Sequence, residues 1–269
     1  MSSERSEPYP IVVSNQKGGV GKTTVAINVA GALSDAGARV LVVDLDPQGY
    51  LTTGVGLDEE YMRDPPSLYD ALTDPQAHSV ADLVCEHQEF DVLPANIDMF
   101  NLEQELVSAM RGRERLSMLL ESVDAYDFVV VDCPPSLGIL TDNALLACRN
   151  LLIPAEAEDT SIRALDLLFK QIDTLEDNYG ASITERALVV SNVDYPLDGE
   201  QKGMLEWFDD TFADRIPVFE LRSRAAIKRA FNDGVSVFAH DEECDQREEL
   251  ERVAAHFVDL AGTQEVAQR

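Results

Sequence analysis

Short apolar runs and segments of helical periodicity alternate along most of this chain. The apolar runs are typical of strands buried on both faces of a sheet, and they predict strands at residues 11–13, 39–44, 90–93, 128–132, 151–154, 187–191 and 216–219. The clearest helix pattern ends before Gly180 and contains Ile162, Leu165, Leu168, Ile172 and Leu175. This alternation predicts an α/β fold with a doubly wound, mostly parallel sheet flanked by helices.

Nothing in the chain marks a boundary between two domains. Because there is no internal repeat, low-complexity segment or linker, we expect one domain over residues 1–269, with a disordered arm at 1–9 and a polar tail at 262–269. No apolar run reaches the length of a membrane span, and the polar N-terminus lacks the apolar core of a signal peptide. We therefore expect a cytoplasmic protein with no membrane partner.

A glycine-rich segment lies between the first predicted strand and a helix pattern that begins near Thr24. A strand, a glycine loop and a helix in this order are what a phosphate-binding loop requires, because backbone N–H groups approach a polyphosphate only where side chains leave room. In such a loop, Lys22 reaches the β- and γ-phosphates and the Thr23 hydroxyl binds Mg²⁺. The predicted nucleotide-binding residues are Lys17, Gly18, Gly19, Val20, Gly21, Lys22, Thr23 and Thr24.

Carboxylates stand at the ends of two predicted strands, at the edge of the sheet where open α/β folds bind ligands. Asp44 and Asp46 follow one apolar run, and Asp132 ends another. An apolar strand that ends in aspartate is a Walker B pattern, whose carboxylate holds Mg²⁺.

Together these segments resemble the ParA/MinD ATPases, in the wider family that includes nitrogenase iron protein and the arsenite pump ATPase. Gln16 stands where the common phosphate loop has its first glycine, and Lys17 follows it, as in the deviant loop of that family. The segments 44–49 (DLDPQG) and 132–138 (DCPPSLG) match two further family motifs. The resemblance covers residues 10–255 and implies ATP and Mg²⁺ as cofactors.

The resemblance also assigns roles to single residues. In the family the early lysine crosses a dimer interface to the partner's ATP, so Lys17, Lys22 and Asp46 are the predicted catalytic residues, with Asp46 near the attacking water. The predicted magnesium ligands are Thr23, Asp44 and Asp132, and a strand-terminal cap is the alternative for Asp44. The Asn192 amide is predicted to bind adenine, with a loop-capping asparagine as the alternative.

The net charge of −29, from 50 acidic and 21 basic residues, is the second strong signal. Concentrated salt screens the repulsion within such a surface, so we expect a halophilic, haloarchaeal source. An unusually acidic mesophilic protein is the alternative.

One basic cluster interrupts this acidic chain, and it consists of Arg222, Arg224, Lys228 and Arg229. In ParA-type proteins the corresponding region holds nonspecific DNA when ATP closes the homodimer. The resemblance thus implies a Soj-like ATPase of chromosome or plasmid partitioning that is nucleoid-associated when ATP-bound and is stimulated by a ParB-like protein. The alternative for the cluster is a solvated helix face that pairs with acidic neighbours.

Two other activities occur on the same fold. A MinD-like membrane ATPase needs a basic amphipathic C-terminal helix, whereas the end of this chain is mostly acidic, and its apolar Val253, Phe257 and Leu260 favour docking on the protein's own core. A reductase of the iron-protein type needs paired cysteines for an Fe–S cluster. Cys133 follows Asp132, but no second cysteine has family-like spacing, and a buried thiol is the favoured interpretation.

Overall fold

An eight-stranded sheet forms the centre of the described chain. The computed structural model describes residues 7–240 and 243–267. The strand order is β3-β4-β2-β5-β1-β6-β7-β8. The strands are β1 (Tyr9–Val13), β2 (Val40–Asp44), β3 (Cys85–Glu86), β4 (Asp91–Leu93), β5 (Phe128–Asp132), β6 (Asn150–Glu156), β7 (Thr184–Val193) and β8 (Val218–Arg222).

Helices cover both faces of this sheet. They are α1 (Lys22–Asp35), α2 (Tyr50–Gly54), α3 (Asp58–Tyr61), α4 (Leu68–Thr73), α5 (Leu102–Ser108), α6 (Arg115–Leu120), α7 (Ile139–Cys148), α8 (Thr160–Tyr179), α9 (Gly199–Phe212), α10 (Ala225–Asn232), α11 (Val237–His240) and α12 (Arg247–Ala267). Two short 3₁₀ segments lie at Val80–Asp82 and Ile97–Asn101. The predicted α/β class is therefore confirmed.

Seven strands run parallel, so their carboxyl ends meet at one edge of the sheet. Asp44 of β2 lies in register with Asp132 of β5, and Asp132 lies in register with Val13 of β1, the strand that leads into the phosphate loop. The predicted carboxylates and the loop thus meet at one place. The two-residue strand β3, which pairs antiparallel with β4, was too short for the apolar pattern to predict.

Each face of the sheet has its own apolar core, since successive strand residues point to opposite faces. One core contains Ile11, Val13 and Val130 with α1, α2 and the last three helices; the other contains Val12 and Val131 with helices α4 to α9. Val253 and Phe257 of α12 are buried in the first core, which confirms the predicted docking of the C-terminal helix. Within the described residues, none of the helices combines the length and apolarity of a membrane span.

Parts of both predicted terminal segments belong to a strand or a helix of the structure. β1 begins at Tyr9, inside the predicted arm, and the buried Tyr9 hydroxyl donates a hydrogen bond of 2.9 Å to Asn150 Oδ1. Residues 1–6 of that arm lie outside the described residues. At the other end, α12 continues through residues 262–267 of the predicted polar tail, and 268–269 lie outside the described chain.

Candidate functional site

The phosphate-loop candidate adopts the backbone that its glycines permit. Gly19 and Gly21 have φ of +82° and +78°, in the left-handed region that favours glycine. Gly21 is the N-cap of α1, and the helix begins at Lys22, two residues before its predicted start. The space where a Cβ would stand on Gly18 or Gly19 is open. The loop therefore presents bare backbone and a helix N-terminus to one open space, which suits an anion.

Side chains from neighbouring strands hold this loop in place. Buried Asn15 donates a hydrogen bond of 2.7 Å to the Pro154 carbonyl oxygen of β6. The Ser191 hydroxyl, at the carboxyl end of β7, donates to the Val20 carbonyl oxygen at 2.6 Å. The loop geometry is thus supported from two strands that come much later in the chain.

Lys22 is a buried cation in the phosphate loop. Its side chain lies inside the loop, and Nζ donates to the Lys17 carbonyl oxygen at 3.1 Å. No carboxylate among the described residues forms an ion pair with it. Burial lowers the pKa of Lys22, and the charges of Asp132 and Asp46 oppose that shift. A polyphosphate on the loop would supply the missing negative charge.

Thr23 and Asp132 form the magnesium-site candidate. The Thr23 hydroxyl donates to Asp132 Oδ2 at 2.6 Å, and the other oxygen, Oδ1, is buried with no hydrogen-bond partner among residues 7–240 and 243–267. Burial, with a further contribution from Asp44, raises the pKa of Asp132 well above its usual range. A buried carboxylate oxygen without a donor fits a cation, because Mg²⁺ prefers oxygen ligands and offsets the cost of burying the charge.

Asp44 and Asp46 lie beside this pair but have different surroundings. Asp44 is fully buried, and both of its oxygens accept hydrogen bonds, from Asp46 N and from Thr52. Burial raises the pKa of Asp44 to about 6. Asp46 accepts one bond of 2.9 Å from Gln48 N, and burial raises its pKa while the charge of Lys22 lowers it. The structure thus brings all three predicted carboxylates to the loop, and Asp46 has fewer protein donors than Asp44.

Lys17 makes contacts that the sequence pattern did not reveal. Its Nζ lies 2.8 Å from Glu156 Oε2 and 2.5 Å from Glu158 Oε2, at the carboxyl end of β6. Burial lowers the pKa of Lys17, but the hydrogen bonds to the two glutamates outweigh that effect and leave it raised. Glu156 ends an apolar strand, as Asp132 does, and this was the signal in the sequence that could have identified it.

Asn192, the residue predicted to bind adenine, lies next to the loop. Its amide nitrogen donates to Glu156 Oε1 at 2.9 Å and to Gly19 O at 3.3 Å, and its φ of +55° is one that asparagine tolerates. A small cavity of about 80 Å³ opens beside it. This cavity is lined by Gly21, Thr24, Val25, Ser191, Asn192, Leu221, Arg222, Ser223, Arg224, Ile227 and Lys228.

The predicted DNA-binding cluster therefore borders the nucleotide site. Arg222 ends β8, pairs with Glu220 at 3.1 Å and stacks 4.2 Å from the centre of the Tyr195 ring. Arg224 precedes α10 and binds both oxygens of Asp245, at 2.8 and 2.7 Å. Lys228 and Arg229 lie on α10 itself. At least two of the four cations, Arg222 and Arg224, are thus already neutralised by acidic neighbours, and the cluster combines a strand end with a helix.

Cys133 is not exposed at this site. The side chain is buried in a core, as is that of Cys148, and both are free thiols. Burial raises the pKa of Cys133 well above its usual range. The favoured interpretation, a buried free thiol, is therefore confirmed.

Known proteins share both the sequence motifs and the fold of this chain. A family profile described as "AAA domain" matches residues 9–185. The chromosome-partitioning ATPase Soj of Treponema pallidum is 32% identical over 251 residues, which cover 92% of this chain and 96% of that protein. Two uncharacterized Mycobacterium tuberculosis proteins are 38% identical over 187 residues, and the match spans only 58% of their length.

Solved structures show the same architecture. A McdA–ATP complex from Cyanothece superposes with a TM-score of 0.83 at 22% identity, covering 94% of this chain and 97% of that one. Cobyrinic acid a,c-diamide synthase from Mycobacterium smegmatis, with bound ADP and magnesium, gives a TM-score of 0.76 at 26% identity, covering 92% and 93%. Fold, motifs and relatives agree, and the chain belongs to the ParA/MinD-type family of P-loop ATPases.

Proposed function

We propose that this protein is a partition ATPase that binds ATP with Mg²⁺, dimerises, holds nonspecific DNA and hydrolyses ATP to ADP and phosphate. The observation that carries the proposal is the Thr23–Asp132 pair at the phosphate loop, where Asp132 Oδ1 has no donor. The similarity to Soj supports partitioning as the process. We also propose a cytoplasmic, nucleoid-associated protein from a haloarchaeon, because the charge of −29 suits molar salt.

Each group at the site has one task in this chemistry. Phosphoryl transfer depends mostly on positioning and charge stabilisation, and Mg²⁺ supplies charge neutralisation at the phosphates when bound. Thr23 and Asp132 would hold the ion, with Asp44 beside them, and Lys22 would bind the β- and γ-phosphates. Asp46 would orient the attacking water, since its carboxylate has few protein donors.

The cavity beside Asn192 is the best candidate for the nucleotide base. It opens next to Gly21 and Thr24 of the phosphate loop, as a base attached to loop-bound phosphates requires. The Asn192 amide stands at its rim and offers the hydrogen-bonding groups that an adenine edge needs. Ligand contacts would draw this amide away from Glu156 Oε1, its present partner.

Lys17 is proposed to act on the ATP of the partner subunit when the protein dimerises. In the single chain Lys17 is paired with Glu156 and Glu158, so it would leave these carboxylates to reach a partner's phosphates. ATP binding and hydrolysis are therefore expected to separate. Lys22→Ala should abolish ATP binding, whereas Lys17→Ala should bind ATP and lose hydrolysis.

Isothermal titration with ATP and a phosphate-release assay test this difference. Lys170→Ala is the matched control, because this exposed lysine lies on α8, outside the loop. Equal loss of ATP affinity in Lys17→Ala and Lys22→Ala would contradict the cross-subunit role, and undiminished ATP binding by Lys22→Ala would overturn the ATPase itself.

DNA binding is proposed for the basic cluster, with Lys228 as the cation to test, since no ion pair is formed by it within the described residues. Binding of ATP-saturated protein to random duplex DNA is measured across KCl concentrations up to molar. Lys228→Ala should weaken binding to any sequence and lower the log–log salt slope by about one. Arg39→Ala is the matched control, because Arg39 is an exposed cation at the amino end of β2.

The cluster lines the cavity proposed for the base, so ATP affinity of each variant is measured first. DNA binding is then compared at saturating ATP. If Lys228→Ala and Arg39→Ala behave alike, the cluster is a solvated, ion-paired surface and the DNA proposal fails.

A further inference from the structure

Asp132 and Asp44, which lie in register on neighbouring strands, differ in how many protein donors they face. Asp132 Oδ1 is buried and has no hydrogen-bond partner in the described part of the chain. Asp44 Oδ1 accepts from Asp46 N at 3.1 Å, and Asp44 Oδ2 accepts from both the amide and the hydroxyl of Thr52, at 2.8 and 2.7 Å. Both oxygens of Asp44 are thus bound by protein donors, whereas one oxygen of Asp132 is left for a ligand.

Burial and hydrogen bonds on two sides hold the Thr52 side chain in place. Its side chain is fully buried on α2, and its hydroxyl oxygen accepts a hydrogen bond of 2.8 Å from Ala95 N, just after β4. An amide donor on the oxygen directs the hydroxyl proton toward Asp44. Thr52 therefore connects α2, the end of β2 and the segment after β4 through a single side chain.

We propose that Thr52 is a positioning residue for ATP hydrolysis, because it fixes Asp44 as an anchor for the Asp46 backbone. The Asp46 amide is bound to one oxygen of Asp44, and Thr52 holds the other. The carboxylate of Asp46 then keeps a fixed place beside the phosphate loop. This inference rests on the proposed function, and it gives Asp44 a supporting role in place of direct metal ligation.

The test compares variants that differ by one hydroxyl. Thr52→Val removes the hydroxyl donor to Asp44 while it keeps the amide donor and the side-chain shape, and Thr52→Ser restores the hydroxyl donor. Thr53→Val is the matched control, because the Thr53 hydroxyl lies on the same helix and donates to the Gly49 carbonyl oxygen at 2.9 Å, away from Asp44. Steady-state ATP hydrolysis, ATP affinity and the Mg²⁺ concentration for half-maximal ATP binding are measured for each.

We expect kcat to fall about tenfold or more in Thr52→Val, because small misplacements of a reacting group have effects of this size. ATP affinity and the Mg²⁺ requirement should stay within about twofold, since Thr23 and Asp132 are untouched. Thr52→Ser should recover most of the rate, and Thr53→Val should match the wild type.

Several results would overturn the inference. An unchanged kcat in Thr52→Val shows that the hydroxyl does not matter, and a shifted Mg²⁺ requirement shows that Asp44 acts on the metal. If Thr52→Val does not fold, Thr52→Ala, which places no methyl group against the carboxylate, gives the same comparison. A wild-type protein that fails to hydrolyse ATP contradicts the proposed function instead, so the two failures are distinct.

Discussion

Gly54, the last residue of α2, offers a test of how this helix is coupled to α10. A Cβ on Gly54 would lie 2.4 Å from two ring carbons of Phe231, on the helix that carries Lys228 and Arg229. Real Cβ atoms do not approach carbon this closely, so Gly54→Ala must displace the Phe231 ring. The same short helix α2 holds Asp44 through Thr52. The contact between Gly54 and Phe231 thus links the helix that holds Asp44 to the helix that carries two residues of the basic cluster.

Two effects of Gly54→Ala oppose each other. Alanine is favoured over glycine in a helix by at most about 1 kcal/mol. Overpacking a core contact costs about 1–3 kcal/mol, and Phe231 packs against one of the two apolar cores. The steric term is larger, so we expect a net loss of about 1–2 kcal/mol in the free energy of unfolding.

Urea unfolding in molar KCl measures this loss. Gly203→Ala in α9 is the matched control, because its Cβ meets no atom within 4 Å, and it should stabilise the protein by about 0.5–1 kcal/mol. Phe231→Ala makes room for the new methyl group. The double variant should therefore lose less stability than the two single variants together, by about 1–3 kcal/mol. Additive losses, or a stabilising Gly54→Ala, would refute the proposed contact between α2 and α10.

Three further predictions concern charge. The fold should lose stability as KCl falls from molar levels, because the repulsion within a chain of charge −29 is then unscreened, and a melting temperature indifferent to KCl would contradict this. Burial raises the pKa of Asp44 from 3.8 to about 6, so this carboxyl ionises less readily in the folded state than in the unfolded state. The protonated carboxyl therefore favours the folded state below pH 4, and this contribution to stability is lost as the pH rises through 6. Relative to Asp44→Asn, the wild type should lose about 2 kcal/mol between pH 4 and 7 in urea unfolding, and a constant difference would be the contrary result. Glu158→Gln should let Lys17 leave its glutamate partners more readily, so ATP-dependent dimers should form at a lower protein concentration in sedimentation. The free energy of unfolding should change by less than about 1 kcal/mol because Glu158 is exposed, and an unchanged dimerisation constant would contradict the proposed movement of Lys17.

Local patterns in the sequence predicted the fold class, the phosphate loop and the three carboxylates beside it. The phosphate loop occupies consecutive residues, so its glycine conformations and its place before α1 depend on short-range geometry alone. Continuous apolar runs predicted the long strands, since a strand covered on both faces needs apolar residues at every position. The ends of those strands then placed Asp44, Asp46 and Asp132 at one edge of a parallel sheet.

The partners of these residues required the tertiary structure. Lys17 meets Glu158 across 141 positions of sequence, and Arg224 meets Asp245 only because α10 and α12 pack on the same face of the sheet. Likewise, the strand order decides that β7 and β8 reach the phosphate loop.

The sequence by itself determined which residues form the candidate site, because loop glycines, strand apolarity and carboxylates at strand ends are local properties. Only the tertiary structure decided which hydrogen-bond and ion-pair partners those groups have. It showed that a buried oxygen of Asp132 has no donor among the described residues, that Thr52 holds Asp44, and that Arg222 and Arg224 are already paired with acids. The physical reason is that a donor or a counterion is supplied by whichever segment the packing brings near, and the spacing of residues along the chain carries no record of that choice.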